Sequence, residues 1–133
     1  MSKPAAKQGD TITASESHIV MVPSSTGSTP TPLPHPFRGT LTLNLSSNVF
    51  INGQPAAMQG SGAINTPPHV PTSPGTSFQT PPSNRGIIMS GSSSVKINGR
   101  SAARIGDTVQ TCADPAPNLG GQLIGSSNVH IGG

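Results

Sequence analysis

Five side chains in this sequence have the chemistry of metal ligands: His18, His35, His69, His130 and Cys112. Three of them fall at related places. His18 lies nine residues after Gly9, His69 nine residues after Gly60, and Cys112 six residues after Gly106. His35 sits between Pro34 and Pro36 in "PLPHPFRG". If the related segments converge, His18, His35, His69 and Cys112 make a closed set of three nitrogens and one sulfur. That set suits a structural Zn²⁺, one per chain. The alternative is four solvated loop residues. The shared register, in a chain with no other staple, argues for the metal.

His130 is set aside. It stands where the related segments carry Phe50 and Lys96, and neither Phe nor Lys could replace a ligand. Its neighbours Val129 and Ile131 match Val49 and Ile51, and Val95 and Ile97. Period-two alternation therefore puts Phe50, Lys96 and His130 on the face opposite the Val/Ile pairs.

A hydrolytic metal site needs an open position and usually a carboxylate base. The acids are Asp10, Glu16, Asp107 and Asp114, and no His-Glu-x-x-His motif is present. Asp10 and Asp107 occupy equivalent positions, with Ser61 as the third, which points to turn roles in which the side chain bonds nearby backbone N–H groups. No nucleophile–base–acid constellation stands out, so no enzyme is expected and no catalytic residue is assigned.

The elements that must position these ligands come from a repeated phrase. "KPAAKQGD", "VFINGQPAAMQGS" and "VKINGRSAARIGD" align on Gly9-Asp10, Gly60-Ser61 and Gly106-Asp107. Asn52-Gly53 and Asn98-Gly99 separate strand-like runs, a strong β-hairpin signal because both residues accept positive φ. The closing "SSNVHIGG" reads as the first half of a third hairpin, and "KPAAKQGD" as the second half. Pairing of the two would close a ring of three units. The expected fold is all-β: short, twisted hairpins with pseudo-threefold repeats. Two Pro/Ser/Thr-rich stretches, 23–34 and 70–86, read as long surface loops. No segment has helical periodicity.

Composition sets the stakes. The 133 residues fit one domain, 1–133, but only 31% are apolar and 2% aromatic, with 16 Gly and 15 Pro. Such a chain builds a small core and needs a metal, a partner or both. A single Cys excludes an internal disulfide. The formal charge of +3 comes from scattered Lys and Arg without stacking aromatics, unlike a nucleic-acid binder. "IVMV" is far too short to span a bilayer, and the N-terminus lacks the apolar run of a secretory signal. Synthesis in the cytoplasm is expected, with Cys112 reduced.

The three phrases resemble the proline-alanine-alanine-arginine (PAAR) repeat family, along nearly the whole chain. The resemblance implies a small conical β fold, stapled near its vertex by zinc on three His and one Cys, here His18, His35, His69 and Cys112. It implies a tip that caps the blunt end of a homotrimeric, VgrG-like β-helical spike in contractile injection systems, such as type VI secretion and phage-tail-like particles. The tip would be assembled on the particle, one per trimer, and delivered to the target cell with transient membrane contact. An adaptor that docks effector cargo through the long loops is the other reading. Only the third copy ends in Ala-Arg, at Ala103-Arg104; the others carry Lys7 and Met58, and the third begins with Ser101. Many members carry a toxin domain; none is expected here, because the sequence stops inside a repeat.

Overall fold

The computed structural model describes residues 2–133. Among them the chain forms strands and no helix. The strands are β1 (Lys3–Pro4), β2 (Thr11–Ala14), β3 (Ser17–Ser24), β4 (Gly27–Pro34), β5 (Phe37–Leu43), β6 (Phe50–Ile51), β7 (Gln54–Pro55) and β8 (Gly62–Ile64). They continue with β9 (Ser77–Phe78), β10 (Arg85–Ile88), β11 (Lys96–Ile97), β12 (Arg100–Ser101), β13 (Val109–Thr111), β14 (Gln122–Ile124) and β15 (His130–Ile131).

The repeated phrases form three matching hairpins. β6 pairs with β7 and β11 with β12, across turns in which Asn52, Gly53, Asn98 and Gly99 all have positive φ (51°, 80°, 51° and 82°). This backbone follows the right-handed twist of the strands, which is why Asn-Gly is written there. The third hairpin joins the two ends of the sequence: Lys3 pairs with Ile131 and Pro4 with His130. Ile51, Ile97 and Ile131 are buried at 6–7% exposure, while Phe50, Lys96 and His130 are exposed, as alternation requires. Val95 and Val129 stay more than a third exposed.

The alanine steps close the ring. The Ala6 N–H donates to the Ala103 carbonyl (3.0 Å), Ala57 to Ala6 (3.0 Å) and Ala103 to Ala57 (3.1 Å). Isolated bridges repeat the cycle, Ala5 with Arg104, Ala56 with Lys7 and Ala102 with Met58. Three backbones meet at one axis, so only a methyl side chain fits; all six alanines are at most 1% exposed. Each copy then turns at a glycine with φ of 92–96° (Gly9, Gly60, Gly106). The residue after it reaches back to the backbone. Asp10 accepts from the Lys7 N–H (2.9 Å), Ser61 from Met58 (3.0 Å) and Asp107 from Arg104 (2.7 Å). The turn roles expected for Asp10, Ser61 and Asp107 are thus met. Where the partner is cationic, an ion pair is added: Lys7–Asp10 and Arg104–Asp107, each 2.9 Å.

From these turns β2, β8 and β13 run away from the alanine ring. With β5, β10 and β14 they make an antiparallel six-stranded sheet in the order β13-β10-β8-β5-β2-β14. The sheet curls into a nearly closed barrel. Its remaining seam, between β13 and β14, is crossed by reciprocal hydrogen bonds of Thr111 and Asn118 (2.8 and 3.0 Å). The interior is stacked in triplets: Ala6, Ala57 and Ala103; Ile12, Ala63 and Val109; Leu41, Ile88 and Leu123. Phe37 breaks the symmetry. Its ring takes the space beside Gly86, where an added Cβ would lie 3.1 Å from it.

The stretch 23–34 is not a loop, contrary to its composition. Gly27–Pro34 is a full strand paired along its length with Ser17–Ser24. The prolines explain both the misreading and the structure. Pro30, Pro32 and Pro34 stand opposite Met21, Ile19 and Ser17, while Thr29, Thr31 and Leu33 stand opposite Val22, Val20 and His18. Antiparallel partners alternate between bonded and non-bonded pairs. Proline lacks an N–H, so it fits only the non-bonded positions, where its nitrogen faces the free edge. β4 is an edge strand, the place a sheet tolerates proline. The second stretch, 70–86, is largely irregular, but it contributes β9, which pairs with the other edge of β3, and the start of β10.

Candidate metal centre

The cluster forms where the inner strands of the three units end, far from the alanine ring. β2 leads into Glu16 and then His18 on β3; β8 leads into the segment carrying His69; β13 is followed directly by Cys112. Strands of three or four residues separate ring and cluster, roughly 10–13 Å at the usual rise per residue. Phe37 lies between the barrel core and the site, its ring 6.4 Å from that of His69. Phe78, delivered by β9, covers the other side, with its ring 5.9 Å from His18 and 5.4 Å from His35.

Glu16, His18, His69 and Cys112 each offer one ligand atom, and these four atoms lie within 4.8 Å of one another. Glu16 Oε2 is 2.5 Å from His18 Nε2, 3.0 Å from His69 Nε2 and 3.5 Å from Cys112 Sγ. Cys112 Sγ is 3.9 Å from His18 Nε2. The side chains of Glu16, His18 and His69 are 0%, 1% and 4% exposed. Burial lowers the pKa of His69, against the opposing pull of the Glu16 carboxylate. Burial also raises the pKa of the Cys112 thiol, and the negative Glu16 adds to the rise. Glu16 Oε1, His18 Nδ1 and Asp114 Oδ2 are buried without hydrogen-bond partners, the last two facing each other at 3.5 Å.

Of the residues expected from the sequence, His18, His69 and Cys112 come together. His35 stands beside them, its ring 5.5 Å from His18 and 5.6 Å from His69. Both of its nitrogens are engaged: Nδ1 lies 2.8 Å from the Leu33 carbonyl, and Nε2 accepts from the Thr72 N–H at 3.1 Å. His130 lies in β15, exposed and outside the cluster. Glu16 is the residue that sequence reasoning missed. The signal was its place two residues before His18, on the same side of an extended segment.

The donor set is one carboxylate, two imidazoles and one thiol, a combination used by borderline-soft divalent ions such as Zn²⁺. Orphaned polar atoms inside the cluster fit the same assignment, since a buried carboxylate needs a cation or full hydrogen bonding. The cluster could hold a metal ion. When bound, such an ion would supply a cross-link among the three units.

Compared with known families, residues 79–133 match the PAAR motif model. The matched span carries the complete third copy, with its hairpin, Ala102-Ala103-Arg104, the Gly106-Asp107 turn and Cys112. This part of the chain carries a PAAR motif. The copy around Asn52-Gly53 and the "KPAAKQGD" half of the split copy lie outside the matched span and are tied to the third copy by the alanine ring; the other half of the split copy, with β15, lies inside it. PAAR proteins are structural components of the spike of contractile injection systems, assembled at the tip of the apparatus, and are not known as enzymes. No curated protein and no solved structure matches the chain. Among the described residues no helix is long and apolar enough to cross a membrane.

Proposed function

We propose that this PAAR protein caps the blunt end of a homotrimeric, VgrG-like spike, one copy per trimer, and gives the particle a rigid point for membrane penetration. The observation that carries this reading is the cyclic bonding of Ala6, Ala57 and Ala103, three equivalent positions of one chain around one axis. A monomer with internal threefold repetition seats on a threefold trimer without a symmetry mismatch. The hairpin layer at the ring end offers the docking surface, with Val95 and Val129 exposed on it and Ile51, Ile97 and Ile131 buried beneath as its core. At the opposite end, a single zinc ion held in the His18, His69 and Cys112 cluster would tie the three units together where the barrel core ends. Metal binding there adds directly to folding free energy.

The test is to mix the purified chain with its cognate spike trimer and weigh the complex by sedimentation or light scattering. One chain per trimer is expected. Three per trimer would overturn the pseudo-threefold account. Binding to a cargo protein with no binding to the spike would replace the tip reading with the adaptor reading.

A further inference from the structure

We propose that Glu16, and not His35, supplies the fourth donor of the metal centre, so that the ion is held by one carboxylate oxygen, two imidazole nitrogens and one thiolate. This rests on the metal-centre reading above and departs from the three-His, one-Cys set that the family resemblance implies.

Placement is the first argument. The four ligand atoms of Glu16, His18, His69 and Cys112 are already gathered within 4.8 Å. Zinc–donor bonds of about 2.0–2.3 Å put neighbouring donors of a tetrahedral shell roughly 3.3–3.8 Å apart. The separations of 3.0, 3.5 and 3.9 Å bracket that range, while Glu16 Oε2 and His18 Nε2, 2.5 Å apart in a direct hydrogen bond, would have to separate by about 1 Å to take neighbouring positions on the ion.

Charge is the second. The Glu16 side chain is 0% exposed, and its ion-pair partners among the described residues are His18 and His69, with no Lys or Arg. Its Oε1 has no partner at all. A buried carboxylate with one oxygen unpartnered is expensive. Glu16 and a Cys112 thiolate together carry two negative charges, which a divalent ion neutralises; the thiol proton leaves to solvent on binding. With His35 as the fourth ligand, the carboxylate would remain buried beside the centre with an unanswered oxygen.

The third argument is what His35 already does. Its Nδ1–H donates to the Leu33 carbonyl, so the ring's lone pair is on Nε2, and that lone pair accepts from the Thr72 N–H. The Thr72 hydroxyl in turn donates to the Pro34 carbonyl (3.1 Å). His35 thus fastens the segment carrying His69 to the end of β4. It is a positioning residue. Ligation would cost it the Thr72 bond.

The test uses the full chain, stripped of metal and titrated with Zn²⁺ against a chromophoric chelator, together with X-ray absorption of the zinc-loaded wild type. One sulfur, two imidazoles and one further oxygen in the shell are expected. Glu16→Gln should weaken zinc binding by about 100-fold or more, while His35→Gln, which keeps an acceptor for Thr72, should change it by less than about tenfold. Three imidazoles in the wild-type shell would overturn the assignment, and so would tight binding by Glu16→Gln with loss in His35→Gln. The absorption measurement decides even where a variant folds poorly. A wild type that takes up no zinc would remove the centre itself and this proposal with it, an outcome distinct from a centre with a third imidazole.

Discussion

Burial acts in opposite directions on His69 and Cys112. His69 is held below the ordinary histidine value of 6.5, mainly because the interior disfavours its charged form. The unfolded chain binds that proton more tightly, so this contribution to stability is present above pH 6.5 and is lost as pH falls through the lowered folded value. Cys112 is held above the ordinary 9.0, so its contribution is present below pH 9.0 and is lost as pH rises through the raised folded value. The metal-free protein should therefore be most stable between these limits, which thermal melts across the pH range will show. In zinc-loaded protein, Cys112→Ala removes a ligand that no neighbour replaces. We expect a fall in Tm of about 10 °C or more, corresponding to several kcal/mol. His130→Ala, on the exposed face of β15, should leave the Tm within a degree or two of wild type.

Among the elements, the alanine ring and the proline-lined edge each make a separate demand. Ala57 is fully buried where three backbones meet, so Ala57→Leu has no room to relax. It should cost about 3 kcal/mol or more, measured by denaturant unfolding. Pro32 has the opposite setting. It is exposed on the outer edge of β4, and its missing N–H leaves that edge without a donor at this position. Pro32→Thr restores a donor on a free strand edge, which is a template for pairing with another chain. The expected result is little change in unfolding free energy but increased self-association, read by light scattering at rising concentration.

At the scale of the whole molecule, hairpin layer, barrel and metal cluster stack along one pseudo-threefold axis. The hairpin layer keeps its symmetry in the isoleucines and loses it in Phe50, Lys96 and His130, which are equivalent by position and unlike in chemistry. If docking uses the apolar side of the layer, Val95→Asp, at an exposed position, should weaken spike binding by at least tenfold in a pull-down titration, and Lys96→Ala should change it little. Retained affinity in Val95→Asp would move the docking surface elsewhere. The symmetry also ends at the cluster, where one unit gives Glu16 and His18, another His69 and the third Cys112.

The repeated phrases made three hairpins, their turn residues and the pairing of the chain ends legible, because Asn-Gly, small-residue steps and period-two alternation are local rules. They also placed His18, His69 and Cys112 at the ends of equivalent strands. The Pro-rich strand was not legible. Proline tolerance depends on which side of an edge the missing N–H faces, and only the pairing partner fixes that. Nor was the distribution of roles between Glu16 and His35. Both are close to the cluster in sequence terms, but the tertiary structure gives His35 to Leu33 and Thr72 and leaves Glu16 buried among the ligands with one carboxylate oxygen unpartnered. Local sequence sets what each strand can do. Which buried charge still needs a partner is settled by the packing of distant segments.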